Sequence, residues 1–224
     1  MRFDYTFTFP DGGSQAYRVV LADDLSYCQH GDCPPPAWAM LATEQCRHCQ
    51  LTPDHRHCPV AVNVAELVAA FHDTASYRAC LVSCHSAART VSKETTVQDG
   101  LSSIMGIIMA TSGCPSLAIL KPLARFHLPF ATVEESLFRA VSAYLVRQYF
   151  VALDGGQADF ELTQISRAYE AIQEVNAGIL RRIQHAVRLD ADRNAIVILN
   201  SLVQILEMEI ADKLESLRPL FTGS

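Results

Sequence analysis

Strict alternation of apolar and polar side chains marks the start of the chain, with Phe3, Tyr5, Phe7 and Phe9 on one face of an extended run and Asp4, Thr6 and Thr8 on the other. A second β-rich run, AYRVVL at 16–21, follows the turn residues Pro10, Asp11, Gly12 and Gly13, which predicts a hairpin with a loop longer than two residues. A two-stranded hairpin is marginal alone, so a third strand is required, and Tyr77–His85 (YRACLVSCH) is the best match to that pattern. Between them, Pro34-Pro35-Pro36 forbids helix, and Trp38–Glu44 has room for one helical turn. The run VAVNVAELVAAFH after Pro59 is helical in character and ends near His72.

From about residue 96 onward the period changes to three and four. Val97, Leu101, Ile104, Met105 and Ile108 form one stripe that stops at SGCP, and Pro115 then suits the first position of a helix running to about Ala124. Thr132-Val133-Glu134-Glu135 is a capping box opening a helix to Val151, which Gly155-Gly156 ends. Two long helices are expected at roughly 161–187 and 192–217, the second capped by Asp192 and closed by Pro219. Gly100 and Gly106, each costing ~1 kcal/mol of helix stability, predict close approach of a neighbouring helix. The pattern therefore gives an α+β fold: a small N-terminal antiparallel sheet with a metal-clipped loop, packed on a mainly helical body. Residues 1–92 carry the hairpin, the loop, one helix and the third strand, and 93–224 carry the helical body, as one compact unit. The last helix is apolar on several faces, as in a buried helix or a homodimer interface.

Composition narrows the function classes. A net charge of −6 with no dense Lys/Arg tract disfavours binding to nucleic acid through phosphate neutralisation. No stretch reaches the ~20 apolar residues of a bilayer span, and MRFDYTFTFPDGG is not a signal peptide, so the expected location is a bacterial-type cytoplasm. In that reducing setting the eight cysteines, all within the first 114 residues, read as metal ligands or reactive thiols before disulfides.

The densest chemistry is CRHCQLTPDHRHC at 46–58. Cys46 and Cys49 reach one ion from a single tight turn, and Cys58 adds a third thiolate. The fourth ligand is open among His57, His55, Cys28 and Cys33; His57 is adjacent to Cys58, which is sterically awkward, and His55 is not. Thiolates with an imidazole suit zinc. Four protein ligands make the site structural, whereas three and a water leave it catalytic. A bound ion also supplies the internal constraint that the long irregular segment 22–58 needs.

A second place is Cys114 in SGCP, beside a helix start where unpaired N–H groups stabilise a thiolate. His127 lies one short helix beyond, and Glu94 is an acid able to orient its imidazole, so Cys114, His127 and Glu94 form a candidate thiol-enzyme set. The blander alternative is a buried cysteine at a tight helix junction. The polar run Lys93–Gly100 reads as a ligand pocket or as a solvated helix start. Cys80 and Cys84 share a face and read as small core hydrophobes.

The combination of CxxC, HCPVAVN, ETTVQDGLSSIMGIIMATSGCP, ARFHLPF, EESLFRAVSAYLVRQYF and DRNAIVILN resembles an uncharacterised bacterial domain family over nearly the whole chain. The resemblance brings no activity. It draws attention to Cys46, Cys49, His57, Cys58, Glu94, Gln98, Ser112, Gly113, Cys114, Arg125 and His127, and away from Cys28, Cys33, Cys80 and Cys84. The leading expectation is a zinc-stabilised binding or regulatory module for an unknown protein or small molecule. The alternatives are a thiol-dependent enzyme and a redox or metal sensor.

Overall fold

A computed structural model describes residues 1–29, 31, 34–184, 191–212 and 214–222, with the side chains of 191–193 excepted. Cys33 and the cap assigned to Asp192 lie outside what is described. The alternating N-terminus forms β1 (Arg2–Thr8) and β2 (Ser14–Leu21), paired antiparallel with Tyr5 opposite Tyr17. The third strand of the sequence pattern is β4 (Ala79–Ser86), which lies on the other side of β1. Two strands escape the pattern: the two-residue β3 (Tyr27–Cys28) and β5 (Thr90–Thr96) complete a five-stranded antiparallel sheet of order β3-β2-β1-β4-β5.

β5 is missed because TVSKETT has no apolar alternation to read; as an edge strand it carries the exposed charges Lys93 and Glu94, which discourage pairing with another chain. The expected polar helix start is therefore half strand. The cap proper begins at Thr96, whose side chain and Asp99 reciprocally satisfy the first backbone donors of α2 (Val97–Ala110).

One sheet face is dry. Phe3, Tyr5, Phe7, Val19, Leu21, Cys80, Val82 and Cys84 project from it into the core, which confirms the small-hydrophobe role of the two β4 thiols. α1 (Pro59–Phe71) and α2 cover that face, with Phe71 packed against Phe7 at 5.0 Å between ring centres. Gly100 is where α2 comes closest: a Cβ there would lie 2.4 Å from Phe7 Cε1 and 3.1 Å from Val82 Cγ2. The close approach expected at this glycine is thus helix to sheet. At Gly106 it is helix to helix, against Leu199.

After α2 the chain makes a 3-10 turn at Pro115–Leu120 and then α3 (Lys121–Arg125), not one helix to Ala124, because Pro122 has no N–H and restarts the hydrogen-bond ladder. α4 (Val133–Leu153) opens on the expected capping box, with Glu135 N donating to Thr132 Oγ1 at 3.1 Å. α5 (Thr163–Gln184) and α6 (Ala191–Ala211) follow, and Pro219 opens a short α7 (Pro219–Thr222) instead of ending α6. α6 packs against α2, α4 and α5. Its window Asn194–Ala211, mean hydropathy 1.4, is long and apolar enough by those measures to cross a bilayer, more apolar than the sequence reading allowed.

Candidate metal centre

The loop from 37 to 58 is irregular but not loose. Ala37–Ala39 forms a 3-10 turn, and the chain returns beside it: Leu41 N donates to Arg56 O at 3.0 Å, Cys58 N donates to Ala39 O at 2.8 Å, and Met40 bridges His57. Residues between these rungs are tethered by turns, including Cys49 N to Cys46 O at 3.1 Å, which is the tight CxxC turn.

Helix α5 braces the loop from behind with Arg182, a residue only 1% exposed. Its nitrogens donate to Trp38 O (2.9 Å), Met40 O (2.6 Å) and Leu41 O (3.1 Å). Beside it Arg181 pairs with Glu44 at 2.8 Å. At Gly178 the same helix has no side chain to block the loop: a Cβ there would be 3.1 Å from Cys46 Sγ and 3.4 Å from Glu44 O.

This bracing gathers cysteines. Cys46, Cys49, Cys58 and Cys114 line one small cavity of about 20 Å³, with Val60 of α1 and Val175 of α5 among its apolar walls. A volume of this size holds one water-sized body. Cys58 enters as the N-cap residue of α1, with Pro59 behind it. Cys114 enters from the turn after α2, where Gly113 takes φ +85°, a conformation glycine adopts without the Cβ clash. Asn63 of α1 holds that turn through Ser112 O at 3.4 Å.

Burial pushes Cys46 up to about 11, and the neighbouring Cys58, Cys114 and Cys49 push the same way, against the guanidinium of Arg182. Burial also raises Cys114, although the backbone N–H groups of Ser116 and Leu117 point at its sulfur and oppose the shift. The expectation of a thiolate activated at a helix start therefore fails for the bare protein, because desolvation outweighs two backbone dipoles. Among the described residues no three His, Cys, Asp or Glu side chains are grouped as they stand so as to hold a metal ion.

His57 does not line the cavity. It sits on the bridge to Met40, and neighbours along an extended segment point to opposite sides, so with Cys58 turned inward its imidazole turns away. His55 is exposed and contacts Thr52 Oγ1 at 3.2 Å. Cys28 lies on β3, with Ser26 O as its sulfur's partner at 3.9 Å.

The thiol-enzyme set is not brought together. His127 packs edge-on against Phe3 at 5.3 Å between ring centres and hydrogen-bonds Tyr5 Oη at 2.5 Å through Nε2; Tyr5 Oη in turn meets Ser103 Oγ at 3.0 Å. Burial, then the charge of Arg139, lowers the imidazole to about 3. Cys114 belongs to the other cluster, and Glu94 is exposed on the edge strand. Arg125 is exposed as well, with no carboxylate pairing to it among the described residues.

Sequence reading missed Arg182 and Gly178. The signal was there for the first: Arg182 falls in register with the apolar stripe Ile172, Val175, Ile179 and Ile183 of α5, where a charged residue has no solvated position.

A larger groove of about 450 Å³ opens where the proline segment before this loop meets α1. Pro34, Pro35, Pro36 and Trp38 form one wall; Val62 and Glu66 of α1 stand in the other.

No curated protein and no solved structure matches the chain. A family model does match residues 3–222, and the chain therefore belongs to the family described as Domain of unknown function (DUF6901).

Proposed function

We propose that this protein is a zinc-stabilised binding module in which Cys46, Cys49, Cys58 and Cys114 hold the ion. The observation that carries the reading is their convergence on one cavity of about 20 Å³ from three separated parts of the chain. Cys114 takes the fourth place that the sequence left open, in preference to His57, His55, Cys28 and Cys33.

The donor set fits zinc. Four soft sulfur ligands favour a tetrahedral ion, and a closed set of four protein ligands leaves no position for substrate. A four-thiolate zinc site carries two net negative charges, and its surroundings are positive. Arg182 lies beside Cys46, Ser116 N–H and Leu117 N–H point at Cys114, and Cys58 stands at the N-terminus of a 13-residue helix. Binding requires the thiol side chains to turn inward as they lose their protons, which the chain does not need while they are neutral.

The ion's task is mechanical. It joins the CxxC turn to the starts of α1 and of the 3-10 turn at Pro115, and so fixes the loop whose first turn, at Trp38, and whose neighbour α1 line the 450 Å³ groove. That groove, mostly apolar with a few polar groups at its rim, is where the module binds its partner or small ligand.

Metal analysis of protein purified without added zinc tests this. One zinc per chain is expected, with X-ray absorption giving four sulfur neighbours near ~2.3 Å. Cys114→Ser lowers the stoichiometry and His57→Ala does not. A folded, metal-free protein that takes up no zinc refutes the proposal, and retention of zinc by Cys114→Ser with loss in His57→Ala refutes the ligand set.

A further inference from the structure

Helix α4 is apolar on two faces, and the fold covers one of them. Leu137, Ala140, Val141, Tyr144 and Gln148 are buried against the body. Phe138 (46% exposed), Leu145 (36%), Val146 (56%), Tyr149 (57%), Phe150 (56%) and Leu153 (63%) form a second stripe. At 3.6 residues per turn the two stripes are centred about 150° apart. Phe221 of α7, 70% exposed, extends the outer stripe by stacking on Phe138 at 6.3 Å and 15°. Arg139 falls within the same arc, but its guanidinium turns to α3, donating to Leu123 O and Phe126 O; Glu135 lies at the stripe's N-terminal end, and Glu134 and Arg147 fall beside it.

We infer that this stripe is the face on which two copies of the chain associate, α4 against α4, antiparallel across a two-fold axis. The spacing is the first reason. An antiparallel two-fold through the 145/146 position sets Phe138 opposite Leu153, Ser142 opposite Tyr149 and Leu145 opposite Val146, with a small residue facing the largest one. A two-fold axis brings i against j and j against i, so each of these apolar contacts is made twice.

The area is the second reason. Large side chains present roughly 150–250 Å² when fully exposed, so these six and Phe221 offer about 700 Å² per copy, inside the ~600–1,000 Å² per partner of a stable specific interface. The third is charge. A net charge of −6 and the acidic first turn of α4 disfavour an anionic lipid surface as the occupant. The face is α4, not the last long helix on which the sequence suggested a dimer: α6 already packs against α2, α4 and α5.

Sedimentation equilibrium of the full chain from ~0.1 to ~100 μM is the test, and a dimer is expected to dominate at micromolar concentration. Val146→Glu places a carboxylate beside its own symmetry mate and is expected to weaken association by at least ~100-fold with an unchanged circular dichroism spectrum. Met208→Glu, at an exposed apolar position of α6, leaves association unchanged. In the otherwise natural chain, a photo-crosslinking phenylalanine analogue at 138 is expected to join the partner's peptide that contains Leu153. A monomer at ~100 μM, a dimer insensitive to Val146→Glu, or a crosslink from 138 to the partner's own 138 region each overturns the inference. Flotation of a monomer with neutral or anionic vesicles assigns the stripe to lipid and overturns it too.

Discussion

Removing the guanidinium of Arg182 should loosen the whole 37–58 loop. In Arg182→Met, Trp38 O, Met40 O and Leu41 O lose their donors together. The bond to Leu41 O is fully buried, while those to Trp38 O and Met40 O are partly accessible, so water replaces the latter two in part. An orphaned buried carbonyl costs ~1–3 kcal/mol, and a partly wetted one about half of that. Methionine fills most of the volume, and the desolvation of a cation is no longer required, which returns a fraction of the loss. The expected net destabilisation is about 3 kcal/mol, a large part of the 5–15 kcal/mol typical of a domain. Urea unfolding with chelator present measures this term without metal. Arg182→Lys keeps the charge but reaches one or two of the three carbonyls, and should recover about half. With zinc present the methionine variant should lose more than it does in chelator, because the cation beside Cys46 also favours the thiolate. A loss under ~1 kcal/mol in chelator, or equal losses for Met and Lys, refutes the account of Arg182 as the loop's brace.

Three further outcomes follow from the geometry. In metal-free protein, Cys46 stays protonated to about 11 when folded but titrates near 9.0 when unfolded, so its stabilising contribution is complete below 9 and is lost as pH rises from 9 towards 11; urea midpoints across that window, against Cys46→Ala, measure it. His127, lowered from 6.5 to about 3, contributes stability that is complete above 6.5 and is lost as pH falls towards 3; the imidazole NMR signal should not titrate between pH 5 and 8, and His127→Gln should flatten the acid limb of the stability curve. Gly100→Ala forces a methyl to 2.4 Å from the buried ring of Phe7 and should cost about 1–2 kcal/mol, whereas Gly106→Ala, with Leu199 at 3.8 Å, should be neutral or stabilising by up to ~1 kcal/mol in the same thermal melts.

Much of the fold is legible because burial imposes a period. β1 and β4 alternate, and α1, α2, α4 and α5 carry apolar stripes at helical spacing, so their existence and order follow from the chain alone. β5 does not, because an exposed edge strand has no buried face to write into its sequence. The candidate site divides in the same way. Cys46, Cys49 and Cys58 are local and visible, since 13 residues of polar sequence contain all three. Cys114 lies 56 residues beyond Cys58, and its place in the cavity depends on how α1 and α2 pack side by side. No spacing rule encodes that. Its position next to a proline pointed equally to a helix start and an activated thiol, and only the surroundings separate the two.

Those surroundings also make the two roles of Cys114 mutually exclusive. A nucleophilic thiol needs its pKa lowered, access to substrate and a base within reach. Cys114 has its pKa raised by burial and by Cys58 and Cys49 beside it, while His127 is occupied with Tyr5 in the other cluster. What would be a defect in a nucleophile is suitable in a ligand. With Cys46 and Cys114 held neutral by burial, the loop folds without confining their negative charges around about 20 Å³. On the proposed zinc reading the ion would displace the protons, and Arg182 with the N–H groups of Ser116 and Leu117, which only partly offset burial in the free thiols, would become partners of a real negative charge. Zinc uptake by the folded apo-protein should therefore release up to four protons near neutral pH, measurable with an indicator dye, and Cys114→Ser should release one fewer.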